Sequence, residues 1–140
     1  MADSRPAILL VDDDPDFLDL VQDILDGRGY RVTRASSPSE ALAAIEKETP
    51  DLIVTDLMMS SLDSGFALAG RLREDPRFAG IPVIVATAVA KKLGVSFLPR
   101  EAGDLEAMKA DAYFEKPLDF DAFLAKIADL LARGKKEKKT

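Results

Sequence analysis

An α/β domain built on a parallel sheet is predicted by three features of the chain. Short apolar runs alternate with longer stretches whose apolar residues recur at helical spacing. Pro, Gly, Ser and Asp punctuate the changes between them. Several of the apolar runs also end on polar residues, which is where an open parallel sheet places its ligands. Alternation of this kind lays helices on both faces of the sheet.

The elements follow in order. Ala7-Ile-Leu-Leu-Val11 is apolar throughout and suits a strand buried on both faces. Asp12-Asp13-Asp14 follows, with Asp14 placed to cap a helix and Pro15 at its first position. Phe17, Leu18, Val21, Ile24 and Leu25 form one stripe, and Gly27 and Gly29 end the helix. Tyr30 to Ala35 reads as a second strand. Ser37-Pro-Ser-Glu40 is a capping box that opens a helix to about Lys47. Pro50 and Asp51 then break the chain before Leu52-Ile-Val, a short buried strand that leads through Thr55 to Asp56. Gly65 to Arg73 predicts a helix weakened by Gly70 and stopped by Glu74-Asp-Pro76. Ile81 to Ala86 is a fourth strand, with Pro82 tolerated only near its start and Thr87 at its end.

Lys91 to Ala110 shows no sustained period and is interrupted by Pro99 and Gly103, so an atypical, mobile fourth helical region is expected there. Ala112-Tyr-Phe-Glu115 is a fifth strand leading to Lys116-Pro117. A final helix from Asp119 to about Arg133 carries Phe120, Phe123, Leu124, Ile127, Leu130 and Leu131 on one face. Residues 1–134 are thus expected to form one domain, with 135–140 a frayed basic tail.

Composition narrows the chemistry. The chain has 140 residues, 47% hydrophobic and 31% charged, as in an ordinary globular domain with one core. It has no Cys and no His, so thiolate chemistry, imidazole bases and His ligands are excluded. A net charge of −6 argues against nucleic acid as a partner. No apolar run is long enough to span a bilayer and no signal peptide is evident, so a cytoplasmic location without membrane attachment is expected.

The strand ends carry Asp12 and Asp13, Asp56, Thr87 and Lys116. Three ionised carboxylates at one place need a counter-charge, supplied by a proton or a cation. An all-oxygen donor set suits Mg²⁺, with Mn²⁺ an alternative. A metal-bound carboxylate beside an ammonium and a hydroxyl can accept a phosphoryl group, forming an acyl phosphate on Asp56. Singly, each residue has a plainer role: Asp12 to Asp14 as a helix cap, Asp56 as a turn former, Thr87 and Lys116-Pro117 as ordinary strand ends, Tyr113 and Met58 as packing. Their joint occurrence at successive strand ends favours the chemical reading.

The chain resembles the receiver domain of bacterial two-component response regulators. The resemblance is carried by Leu9-Leu-Val-Asp-Asp-Asp-Pro15, Asp51-Leu-Ile-Val-Thr-Asp-Leu-Met-Met59, Val83-Ile-Val-Ala-Thr-Ala88 and Ala112-Tyr-Phe-Glu-Lys-Pro117. It implies a flavodoxin-like (βα)5 fold with strand order 2-1-3-4-5. It implies Asp56 as phosphoacceptor and Asp12 and Asp13 as the metal-binding acids, with Met58 lending a backbone carbonyl. Thr87 and Lys116 would hold the phosphoryl group, and Thr87 and Tyr113 would form the switch. Pro117 would follow a cis peptide. The implied donor is a histidine kinase or histidine phosphotransfer protein, and the reader an unidentified downstream protein or a second copy of the chain.

Two departures stand out. Ser60 replaces the family's usual Pro, and Ser64 stands where Gly is expected, with Gly65 one residue later. The stretch from Thr87 to Lys116 is also longer than usual. Two other functions compete: a Mg²⁺-dependent phosphohydrolase of the haloacid dehalogenase kind, and an inert interaction module. The first needs Thr where Asp16 stands in Asp12-Asp-Asp-Pro-Asp16, and the second leaves the intact acid pair unexplained. A stand-alone phosphoacceptor switch, rather than a turnover enzyme, is the expectation.

One consequence concerns lifetime. Hydrolysis of the acyl phosphate needs a water held in line with Asp56. The positions two residues beyond Asp56 and two beyond Thr87 are Met58 and Val89, both unable to orient it. Absence of such a group costs on the order of ten- to a thousandfold in rate. Decay of the phosphorylated protein should therefore be slower in wild type than in a Met58→Asn, Val89→Glu variant. Equal decay rates would contradict this.

Overall fold

The structure, a computed structural model, describes residues 5–56, 71–87, 111–115 and 118–138, with the backbone alone for 38, 87 and 133–138. Five strands form one parallel sheet in the order β2-β1-β3-β4-β5: β1 (Ala7–Val11), β2 (Arg31–Ala35), β3 (Leu52–Thr55), β4 (Val83–Thr87) and β5 (Ala112–Glu115). All four pairings are parallel, as the alternating pattern requires. Strand order and fold agree with those implied by the resemblance.

Local sequence explains the helix starts. In α1 (Pro15–Gly27) the Asp14 carboxylate accepts from the N–H groups of Asp16 at 3.0 Å and Phe17 at 3.4 Å, and Pro15 fills the first position. Gly29, at φ 87°, supplies the left-handed residue that turns the chain towards β2. In α2 (Pro38–Lys47) the Ser37 hydroxyl accepts from the Glu40 N–H at 3.2 Å. The Glu40 carboxylate in turn accepts from the Ser36 and Ser37 hydroxyls. The final helix, α3, spans Phe120–Lys138, and the Asp119 carboxylate just before it accepts from the Ala122 N–H at 3.3 Å.

The sheet separates two cores. Leu9, Val11, Ile53, Val83 and Val85 face Ala41 and Ile45 of α2 together with Leu72. Residues 71–74 are helical, agreeing with the end of the expected third helix. Ile8, Leu10, Leu52, Val54 and Ile84 face Leu18, Val21 and Leu25 of α1 and Phe123, Ile127 and Leu130 of α3. Adjacent residues of β1 and β3 thus serve opposite cores, which is why these strands are apolar throughout.

Three boundaries differ from the sequence reading. Tyr30 belongs to the turn, because its N–H donates to the Leu25 carbonyl at 3.2 Å. β4 begins at Val83, since Pro82 has no N–H for the ladder, although its carbonyl accepts from Ile53 at 3.0 Å. The last helix continues to Lys138 instead of stopping near Arg133, so the expected basic tail is largely helical. Cationic residues suit a helix C-terminus, and Gly134 alone does not interrupt the hydrogen-bond ladder. The rest of the expected third helix and the Lys91–Ala110 segment lie outside the described residues. Among the described residues no helix is long and apolar enough to cross a membrane.

Phe123 is the largest fully buried side chain, in edge contact with Phe114 at 5.6 Å and Phe120 at 6.4 Å between ring centroids. Phe123→Ala is expected to lower unfolding free energy by about 3–5 kcal/mol in urea titration. A loss below about 1 kcal/mol would show that α3 does not depend on this anchor.

Candidate functional site

The β1–β3 pairing builds the centre of the site. Its register sets Val11 against Thr55, so the residues that follow, Asp12 and Asp56, emerge side by side. Backbone bonds continue the ladder: the Asp12 N–H donates to the Ala35 carbonyl, and the Asp56 N–H to the Val11 carbonyl, both at 3.0 Å. The Thr55 hydroxyl donates to the Asp56 carbonyl at 3.1 Å. Asp12 and Asp56 are buried, at 1% and 3% exposure, whereas Asp13 is exposed. The Asp12 carboxylate accepts from the Asp14 N–H at 2.9 Å, which ties the acid pair to the cap of α1.

One carboxylate oxygen from each of Asp12, Asp13 and Asp56 lies within 4.8 Å of the others. At an effective dielectric of about 20, two unit charges so placed repel by about 3.5 kcal/mol. Burying two of the three carboxylates heightens that cost, since little water reaches them. Nothing in folding requires like charges to converge here. A hard cation with oxygen ligands would relieve the repulsion and fits this donor set.

Of the other expected site residues, the structure describes Tyr113 and the backbone of Thr87. Thr87 ends β4, with its backbone beside Glu115. Tyr113 lies on β5 opposite Val85, half-buried against the core that contains Val85 and Leu72. Its hydroxyl is buried and has no hydrogen-bond partner among the described residues. Burial pushes its pKa up to about 12, with further contributions from the negative charges of Glu115 and Asp56. Met58, Lys116 and Pro117 lie outside the described residues, as do Ser60 and Ser64.

Beside Asp13 opens a cleft of about 410 Å³ lined by Asp13, Pro15, Leu18, Arg34, Ser36 and Glu40 among others. Arg34 forms one wall and reaches from β2 to α1, donating to Asp19 at 2.6 Å and Gln22 at 3.3 Å. Sequence reasoning had not singled out Arg34. Its partners lie 15 and 12 residues away, and no local pattern joins them.

A family profile described as the response regulator receiver domain matches residues 8–128. The chain is 38% identical over 128 residues to a DNA-binding dual master transcriptional regulator, RpaA, of Synechocystis, covering 91% of this chain and 50% of that protein. It is 32% identical over 133 residues to the DNA-binding response regulator MtrA of Mycolicibacterium smegmatis, covering 95% and 54%. The chain therefore spans about half the length of these curated relatives. Among solved structures, a CheY-like receiver domain protein of Methanospirillum hungatei superposes with a TM-score of 0.79 at 30% identity, covering 96% of this chain and 99% of that one. The response regulator TrrA of Thermotoga maritima, solved in complex with Mg²⁺ and a beryllium fluoride, gives a TM-score of 0.72 at 29% identity, covering 89% and 98%.

The Tyr113 environment has a pH signature. A folded-state pKa raised above the ordinary phenol value of 10.0, to about 12, means that folding favours the neutral phenol. That contribution to stability is complete below pH 10 and is lost as pH rises towards 12. Unfolding free energy should therefore fall across this window in wild type and fall less in Tyr113→Phe. Identical slopes in the two proteins would contradict the assigned environment.

Proposed function

The chain belongs to the response-regulator receiver family, and from that premise we propose that Asp56 accepts a phosphoryl group and relays a signal. The observation that carries the assignment to Asp56 is the convergence of its buried carboxylate with those of Asp12 and Asp13 at paired strand ends. The donor is a phosphohistidine on a histidine kinase or histidine phosphotransfer protein. It must come from another polypeptide segment, because this chain contains no His. A carboxylate oxygen of Asp56 attacks phosphorus, the P–N bond breaks, and the imidazole keeps the electron pair and takes up a proton from water. The product is an acyl phosphate on Asp56.

Asp12, Asp13 and Asp56 would hold Mg²⁺, with the Met58 carbonyl as a further ligand; Mn²⁺ would fit the same oxygens. When bound, the cation neutralises charge on the carboxylates and on the phosphoryl oxygens. The buried position of Asp56 limits water at the reacting oxygen, and its backbone bond to Val11 holds its main chain against the end of β1. Lys116 supplies a second positive charge, and the Thr87 hydroxyl donates to a phosphoryl oxygen. Movement of Thr87 changes what Tyr113 can pack against or bond to, and the buried Tyr113 hydroxyl, with no partner among the described residues, supports a switch role for it.

The output is a binding event, not turnover of substrate. A downstream protein, or further sequence beyond this domain, reads the phosphorylated surface. The matched relatives include transcriptional regulators and sensor histidine kinases roughly twice this length or longer, which supports a place in a phosphorelay. Nucleic acid and membrane are not partners in this reading, and the site of action is the cytoplasm.

Incubation with acetyl phosphate and Mg²⁺, followed by intact mass measurement, should show one added phosphoryl group that is acid-stable and base-labile. Asp56→Asn should stay folded and gain none. Uptake of the group by that variant would overturn the assignment. Saturating Mg²⁺ at about 100 times its Kd should stabilise wild type by about 2.7 kcal/mol. Asp13→Ala, which removes a charged oxygen ligand, should lose most of that gain. An unchanged Mg²⁺ response in Asp13→Ala would contradict the proposed metal site.

A further inference from the structure

At the pole opposite the carboxylate cluster, one arrangement occurs twice. The Asp51 N–H donates to the Ala7 carbonyl at 2.7 Å, and the Asp51 carboxylate accepts from the Ala7 N–H at 2.8 Å. The Asp111 N–H donates to the Val83 carbonyl at 2.7 Å, and its carboxylate accepts from the Val83 N–H at 2.8 Å. In both cases the aspartate immediately precedes a strand, β3 or β5, and grips the first residue of the neighbouring strand, β1 or β4. Both groups of that first residue are thereby satisfied by a single partner. The second clamp is buttressed: Arg73 donates to the Asp111 carboxylate at 2.8 Å and to the carbonyls of Ala79 and Ile81 at 2.7 and 2.8 Å.

The clamped pairs are the ones that carry the chemistry. Asp51 lies five residues before Asp56, and Ala7 five before Asp12. Asp111 lies five before Lys116, and Val83 four before Thr87. At the same pole the pairings β2–β1 and β3–β4 are closed by backbone bonds, from Arg31 to Pro6 and from Ile53 to Pro82. The apolar pattern does not fix register here. β1 and β3 are buried along their whole length, so a slipped pairing would still bury apolar side chains. A slip would nevertheless carry Asp12 away from Asp56 by one residue rise, about 3.3 Å.

We propose that Asp51 and Asp111 are positioning residues, carboxylate clamps that set strand register and so hold the reacting groups in place at the far ends of the strands. Asp51 acts on the juxtaposition of Asp12 with Asp56. Asp111 acts on the placing of β5 against Thr87. The inference deepens the phosphoacceptor reading and rests on it.

The test compares Asp51→Ala, Asp51→Asn and Asp111→Ala with wild type, at a temperature where each is folded by circular dichroism. Mg²⁺ affinity and the rate of phosphorylation by acetyl phosphate are measured separately. Asp51→Ala should bind Mg²⁺ about tenfold or more weakly and react correspondingly slowly. Asp51→Asn keeps an acceptor oxygen and should recover most of both. Asp111→Ala should bind Mg²⁺ as wild type does and yet react more slowly. A merely structural role would lower only the melting temperature. Wild-type affinity and rate in folded Asp51→Ala would overturn the proposal. Should Asp51→Ala fail to fold, a wild-type rate in folded Asp111→Ala would overturn it equally. If wild type itself takes up no phosphoryl group, the functional reading fails, while the Mg²⁺ titration still decides the Asp51 clamp.

Discussion

The parallel pairing of β1 with β3 is the constraint on which the rest depends. It sets Val11 against Thr55, and the next residues of the two strands are Asp12 and Asp56. Two buried carboxylates side by side oppose folding, and the exposed Asp13 adds a third charge to the same place. The sheet withstands this because both strands are embedded between α1 and α3 on one side and α2 on the other. Burial of Ile8, Leu10, Leu52 and Val54 on one face, and of Leu9, Val11 and Ile53 on the other, outweighs the local repulsion. In the proposed function, a cation bound by these carboxylates would offset that repulsion.

The two poles of the sheet divide the work. At the C-terminal pole stands the carboxylate cluster, and the cap of α1 is tied to it through the Asp14 N–H bond to Asp12. Arg34 links α1 to β2 beside the cleft that Asp13 also lines. At the N-terminal pole, side-chain carboxylates complete the hydrogen bonding that the ends of the ladders would otherwise leave unmade. Tyr113 lies between the poles on the β5 edge, its hydroxyl without a partner among the described residues and its neutral form favoured by burial and by the negative charge nearby.

Much of this was legible in the sequence because it rests on local rules. Asp14-Pro15 and Ser37-Pro38 mark helix starts through capping and the fixed proline φ, and the structure has helices there. Leu52 to Val54 is apolar and leads through Thr55 to Asp56, so the acid had to emerge at a strand end. What escaped the sequence reading depends on contacts between distant segments. Asp51 looks like a breaker beside Pro50, yet its carboxylate serves Ala7, 44 residues away. Asp111 and Arg73 join across 38 residues with no periodic signal. Tyr30 looks like strand by its aromatic character but is claimed by the end of α1. Lys135, Lys136 and Lys138 looked like part of a solvated tail, but helix geometry continues through Lys138 because no residue up to there forbids it.

The central claim is that the buried carboxylate at the end of β3 is the group that becomes covalently modified. Reductive trapping tests it most directly. The protein is phosphorylated with acetyl phosphate and Mg²⁺, treated with borohydride, and digested for peptide mass analysis. An acyl phosphate is reduced to the alcohol, so Asp56 should be recovered as homoserine, and only in the phosphorylated sample. Homoserine at Asp12 or Asp13 instead, or no reduced residue in fully phosphorylated protein, would contradict the account.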